Sequence, residues 1–164
     1  ASVLITGGAN GIGLASAKAF HRQGYRVAIA DLDAAAANAA AQSLGNQAMG
    51  LGMDVRDRQS TQQAFDAVLA RFGQIDVVHA NAGVSSMRRA VDINDDDWAF
   101  NFDVNARGVF LTNQCAVRYF LKAGIKGVIV NTASLAAKRG APLVDLRRLY
   151  DLEGSGDHFQ YWAP

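Results

Sequence analysis

The chain has one cysteine among its 164 residues, which excludes an internal disulfide framework and any cluster of thiolate metal ligands. Cys115 sits in an apolar stretch, after Val109-Phe110-Leu111 and before Ala116-Val117, and reads as a buried thiol rather than a reactive one. No apolar run approaches the ~18 residues that cross a bilayer, and Val3-Leu4-Ile5 is too short for the core of a signal peptide. The expectation is a soluble, cytoplasmic protein with no membrane partner. Neither sign of charge dominates: 16 basic residues stand against 15 acidic ones, for a net charge of +1 without long runs. That leaves no argument for a nucleic-acid partner and favours small-molecule chemistry. His21, His79 and His158 share no ligand spacing, so no metal is expected, and His79 reads as a packed or hydrogen-bonded core residue. The last absence is local, for no lysine stands anywhere from Leu143 to Pro164.

Half of the residues are apolar, enough for one domain with a core and too few residues for two ordinary ones. Short β-branched runs alternate with longer helical patterns. This predicts an α/β fold, a Rossmann-like doubly wound parallel sheet, with strands near 2–6, 26–31, 47–53, 75–80 and 127–133. Helices are predicted near 12–23, 34–44, 58–72 and 95–122, and Gly24, Gly45, Gly73 and Gly124 stand where they should end. The alanines from Ala34 to Ala41 predict a small-faced helix packed closely on the sheet. Thr6, Asp31, Asp54, Asn81 and Ser134 then fall at or just after strand ends, the edge where such sheets bind ligands.

The first strand runs into Gly7, Gly11 and Gly13, a spacing that permits a tight turn, close approach of backbone to phosphates, and packing of the new helix on the strand. Asp31 ends the second strand where a carboxylate can accept hydrogen bonds from both ribose hydroxyls of an adenosine and repel a 2′-phosphate. With no lysine or arginine in the glycine turn or directly after Asp31, NAD is expected in preference to NADP. A role for Asp31 in capping the next helix is the alternative. Asn94 followed by Asp95-Asp96-Asp97 reads as a capped helix start rather than a cation site. Met87-Arg88-Arg89 reads as solvated surface.

Taken together these motifs resemble the short-chain dehydrogenase/reductase family, over residues 1 to about 143. Thr6-Gly7-Gly8-Ala9-Asn10-Gly11-Ile12-Gly13 is similar to its cofactor turn, Asp54-Val55 to the pair that holds the adenine, and Asn81-Ala82-Gly83 to the Asn-Ala-Gly that lines the cofactor. Val104-Asn105 is similar to the family's Val-Asn in the long helix, and Ser134 to its substrate-polarising serine. The resemblance implies hydride transfer between a nicotinamide and a small alcohol or ketone. Ser134 would hydrogen-bond the substrate oxygen, and Asn105 would position a water. It also implies a tyrosine that exchanges the proton and a lysine four residues later, and pairing of two copies through the long fourth helix.

The tyrosine's usual place, 13 residues past the serine, is Arg147, and four residues after Tyr150 stands Gly154. Tyr161 fares no better. The expectation is therefore an NAD-binding unit over 1–143 followed by an atypical tail over 144–164, an incomplete sheet of about five strands, and little or no turnover. Leu146, Leu149 and Leu152 could form a short amphipathic turn in that tail, broken at Gly154-Ser155-Gly156. Two origins fit it: a genuine variant ending, or a reading-frame shift after about Leu143, since one codon choice for 146–150 spells Tyr-Ala-Ala-Ser when read one base later. A non-catalytic dinucleotide-binding module is the rival reading. In the family's strand order the fifth strand would be left as an uncovered apolar edge.

Overall fold

A computed structural model describes residues 1–134 except Met87 and Arg89, and only the backbone of Ala90. The tail over 144–164, with Arg147, Tyr150, Tyr161, His158 and the leucine spacing, lies outside the described residues. The predicted alternation is present: β1 (Ser2–Thr6), α1 (Gly11–Arg22), β2 (Arg26–Asp31), α2 (Ala34–Leu44), β3 (Ala48–Gly52), α3 (Arg58–Phe72), β4 (Val77–Ala80), α4 (Asp95–Phe102), α5 (Val109–Ala123) and β5 (Val128–Asn131). A 3-10 turn, Ala90–Asp92, lies between β4 and α4.

The five strands run parallel in the order β3-β2-β1-β4-β5. Strand residues alternate between faces, and each face has its own helices. Leu4, Ala28, Ala30 and Val78 pack with Phe65, Val68 and Phe72 of α3 and with Ala116 and Phe120 of α5. Val3, Ile5, Val27, Ile29 and Val77 pack with Ala17 of α1 and with Ala37, Ala40 and Ala41 of α2. The sheet is thus wound on both sides, as predicted. The alanine face of α2 lies so close to β3 that a Cβ at Gly50 would stand 2.4 Å from the Ala37 backbone. Chain order reverses at β1, which continues to β2 on one side and borders β4 on the other, and the crevice beyond that reversal is where the polar rim gathers.

Three predicted elements differ, one of them β5, which runs only from Val128 to Asn131 rather than over 127–133. The fourth strand begins at Val77 rather than at 75; just before it the Asp76 N–H donates to the Ser2 carbonyl at 3.1 Å and the Asp76 carboxylate accepts from the Ser2 backbone N–H at 2.6 Å. The predicted helix over 95–122 is helical to Ala123, but Asp103–Gly108 within it is π-helical. Tertiary contacts hold this wider turn. The Asn105 amide is tied to the Val84 backbone by two 2.8 Å bonds, and a Cβ at Gly108 would stand 2.7 Å from Val55. Strand β5 occupies the sheet edge, as the family's order implies, with Val128 and Val130 53% and 41% exposed.

Candidate functional site

The turn after β1 is shaped by backbone crowding. Gly7 takes a left-handed φ of 61°, and a Cβ there would stand 2.8 Å from the Ala82 Cα. At Gly13 a Cβ would stand 2.1 Å from the Gly7 carbonyl oxygen, so helix α1 starts against the turn itself. The N-terminus of α1 is unlike the next three. Asp33, Asp57 and Asn94 cap α2, α3 and α4 with side-chain acceptors. Asn10, at the same position of α1, makes no such bond, and the first turn of α1 has no acidic residue. Its leading N–H groups and the positive end of its dipole are left for an anion.

Asp31 and Asp54 close one side of the rim. Asp31 accepts from the Ala9 N–H at 3.1 Å and from the Asp33 N–H at 3.3 Å. It links the glycine turn to the start of α2, while the cap itself is Asp33, which accepts from the Ala36 N–H. The alternative reading of Asp31 as the helix cap is thereby excluded. Asp54 is gripped by Arg56, whose Nη2 donates at 2.7 Å and whose backbone N–H donates at 2.9 Å. The hydrogen-bonded Arg56 guanidinium holds its carboxyl below the usual aspartate value. Val55 is buried in the core facing α3 and α5.

Beyond β4, Asn81 donates through Nδ2 to the carbonyls of Thr6 and Gly7, both at 3.1 Å. The Thr6 hydroxyl in turn accepts from the N–H groups of Asn81 and Ala82 at 3.0 and 3.1 Å. Gly83 leads to Val84, where the Asn105 amide is spent on the backbone. A cleft of about 470 Å³ brings together Gly7, Asn10, Ile12, Gly13, Asp31, Asp54, Val55, Asn81, Ala82 and Gly83. Gly11, Asn105 and Ser134 lie outside its lining. Ser134 is exposed, three residues past the end of β5.

Other sequence readings resolve simply. Asn94 and Asp97 form a reciprocal capping box, and no metal cluster occurs among the described residues. Arg88 pairs with Asp97 at 2.9 Å, while Met87 and Arg89 lie outside the described residues. Cys115 is partly buried rather than fully so, and burial pushes its thiol up to about 11, far from a reactive thiolate. No helix among the described residues is long and apolar enough to cross a membrane. Thr6, placed at the strand end from sequence, proves to pin Asn81, while two contributors escape sequence reasoning: Arg56 as the partner of Asp54, and Thr132, which also lines the cleft. Only Arg56, two residues from its partner, carried a local signal.

A sequence profile of short chain dehydrogenases matches residues 1–145. The chain is 38% identical over 143 residues to a sorbitol dehydrogenase of Cereibacter sphaeroides, covering 87% of this chain and 56% of that protein. It is 42% identical over 137 residues to a D-threitol dehydrogenase of Mycolicibacterium smegmatis, covering 82% and 52%. Among solved structures, a 3-ketoacyl-(acyl-carrier-protein) reductase from Brucella melitensis complexed with NADH superposes with a TM-score of 0.82 at 32% identity, over 86% of this chain and 60% of that one. The chain thus spans about half the length of the curated relatives it matches. An uncapped helix end behind a glycine turn, a polar rim at the strand reversal and this breadth of similarity converge, and the chain belongs to the short-chain dehydrogenase family.

Proposed function

We propose that residues 1–143 form a unit that binds a nicotinamide dinucleotide, NAD in preference to NADP, and that the protein is an oxidoreductase acting on a small alcohol or ketone. The observation that carries this reading is the open N-terminus of α1 facing the same cleft as Asp31. The pyrophosphate fits the uncapped N–H groups of α1, approached through Gly7, Asn10, Gly11, Ile12 and Gly13. The close packing at Gly7 and Gly13 leaves no room for side chains in this cradle. Asp31 would accept from the adenosine ribose and disfavour a 2′-phosphate. Asp54, kept ionised by Arg56, and Val55 would hold the adenine, and Asn81, Ala82 and Gly83 would line the nicotinamide side. When bound, the dinucleotide supplies hydride exchange at its ring. Polyols and related secondary alcohols are the favoured substrate class, given that the relatives include sorbitol and D-threitol dehydrogenases.

Ser134 would hydrogen-bond the substrate oxygen. Asn105, whose amide already exchanges two bonds with the Val84 backbone, would position a water through its remaining amide N–H, its remaining oxygen lone pair or the main chain of the π-helical segment. A proton-exchanging tyrosine with a lysine beside it has no counterpart at Arg147 and Asp151, so the chain as it stands would turn over little or no substrate. A tyrosine with no basic neighbour keeps a pKa of about 10 and is a poor base at neutral pH. The same observation supports the second reading, a non-catalytic dinucleotide-binding module. The exposed Trp98, Phe102, Phe110 and Leu121 along α4 and α5 would serve to pair two copies.

Fluorescence titration with NADH and NADPH, followed by a dehydrogenase assay on a panel of polyols and secondary alcohols, tests these readings. NADH should bind at least about tenfold more tightly than NADPH, and Asp31→Ser should erase most of that difference. Tighter NADPH binding would overturn the coenzyme preference, and absence of binding by either would overturn the function. Measurable turnover would remove the argument from Arg147 and Asp151.

A further inference from the structure

Strand β4 reads Val77-Val78-His79-Ala80, with one imidazole among aliphatic side chains. His79 is 7% exposed and pairs in register with Ile5 of β1 and Val130 of β5. Its two ring nitrogens reach two different elements. Nδ1 lies 3.0 Å from the Ser16 hydroxyl on α1, and Nε2 lies 2.9 Å from the Thr132 hydroxyl beyond β5. Thr132 continues the path, donating at 2.9 Å to Oδ1 of Asn81, whose Nδ2 donates to the carbonyls of Thr6 and Gly7.

The direction of every proton in this path follows from one end. The two carbonyls accept only, so the Asn81 nitrogen faces them and its oxygen faces Thr132. That oxygen accepts only, so the Thr132 proton is committed to it and Nε2 of His79 must be the donor to the Thr132 oxygen. Burial lowers the imidazole pKa and keeps the ring neutral. Nδ1 is then bare and accepts from Ser16. The path is a one-way donor chain from α1, through β4 and the β5 end, to the glycine turn, with every ring and amide group satisfied.

We infer that His79 is a positioning residue that, as its neutral Nε2–H tautomer, orients Thr132 and through it the Asn81 amide, and so sets the shape of the glycine turn. The effect on coenzyme rests on the function proposed above, whereas the effect on Asn81 belongs to the protein alone. Thr132 stands two residues before Ser134, so the same bond also ties down the backbone that delivers Ser134 to the rim. An apolar residue at position 79 would suit the strand but leave the Thr132 hydroxyl and the Asn81 oxygen free to reorient.

The test uses nitrogen-15 labelled protein and three variants, His79→Val, His79→Gln and Thr132→Val. In the wild type the ring nitrogens should report a proton on Nε2. His79→Val and Thr132→Val should both unfold cooperatively, shift the Asn81 side-chain amide resonances, and weaken NADH binding about tenfold, with the double variant no worse than either single one. His79→Gln, which keeps a donor near the Nε2 position, should recover most of the wild-type signals. A proton on Nδ1, unchanged Asn81 resonances in His79→Val, or strictly additive losses would overturn the inference. If no NADH binds to any form, the proposed function falls, and the Asn81 resonances still decide the role of His79. If His79→Val fails to fold, Thr132→Val leaves the imidazole in place and supplies the same readout.

Discussion

Strands β1 and β5 flank β4 on opposite sides and share its parallel ladder, yet they stand in opposite surroundings. Every residue of β1 is buried, with Val3, Leu4 and Ile5 fully so, because strands lie on both sides of it and helices on both faces. In β5 the sequence is as aliphatic, yet Val128 and Val130 remain open. The same contrast holds for the residues each strand delivers. The glycine turn after β1 is fixed by backbone packing at sub-van der Waals tolerance, whereas Ser134 after β5 sits on an exposed stretch beyond a sheet edge. Position in the ladder, more than side-chain type, decides how exposed a strand and its end are.

Mutations of similar size at the two places sharpen this comparison. Leu4→Ala, in a fully buried site, should cost about 2–5 kcal/mol in chemical denaturation. A loss below about 1 kcal/mol would break the contrast at its strong end. Gly13→Ala forces a methyl against the Gly7 carbonyl and should cost about 1–3 kcal/mol while eliminating NADH binding in titration, since the turn and α1 must separate. At the weak end, Val128→Lys should change stability by no more than about 0.5 kcal/mol. It should also reduce any concentration-dependent association seen by light scattering, because a lysine on an open edge disfavours strand pairing.

An effect of intermediate size depends on pH. His79 is neutral when folded because burial depresses its pKa, while the unfolded chain takes up a proton below about 6.5. The unfolded state therefore binds more protons in that window. The stabilisation is complete above about pH 6.5 and is lost as pH falls toward the folded value. Asp54, depressed by Arg56, adds a separate loss only below about pH 4, as the folded carboxylate protonates. Denaturation midpoints between pH 7.5 and 5 should fall less steeply in His79→Val than in the wild type, and parallel profiles would contradict the burial of a neutral ring.

Much of this fold was legible because the signals are local. Helix α3 matches its predicted span, with Asp57 accepting from the N–H groups of Gln59 and Ser60 at its start and Gly73 left-handed at its end. The glycine spacing and Asp31 could be read for the same reason, since a turn and a strand end announce themselves within a few residues. The π-helical segment could not, because its wider turn is held from outside by Val84 and Val55. The His79 path was equally hidden. Ser16, His79 and Thr132 are separated by 63 and 53 positions, and a histidine in a strand says that a partner is needed without saying which. Ser134 follows β5 as expected, yet it is exposed and lies outside the lining of the cleft, which its neighbours in sequence did not announce.

The π-helical segment has a consequence for how the chain tolerates changes in length. Each residue of an α-helix turns about 100° around the axis, so adding or removing one residue ordinarily swings everything beyond it to a new face. A wide turn absorbs one extra residue in place. A chain one residue shorter between Asp103 and Gly108 could close into ordinary α-helix with Trp98 and Phe102 before it and Phe110 and Leu121 after it still in phase. What such a deletion would remove is the bulge that places Asn105 against Val84, and with it the brace on the loop that follows β4.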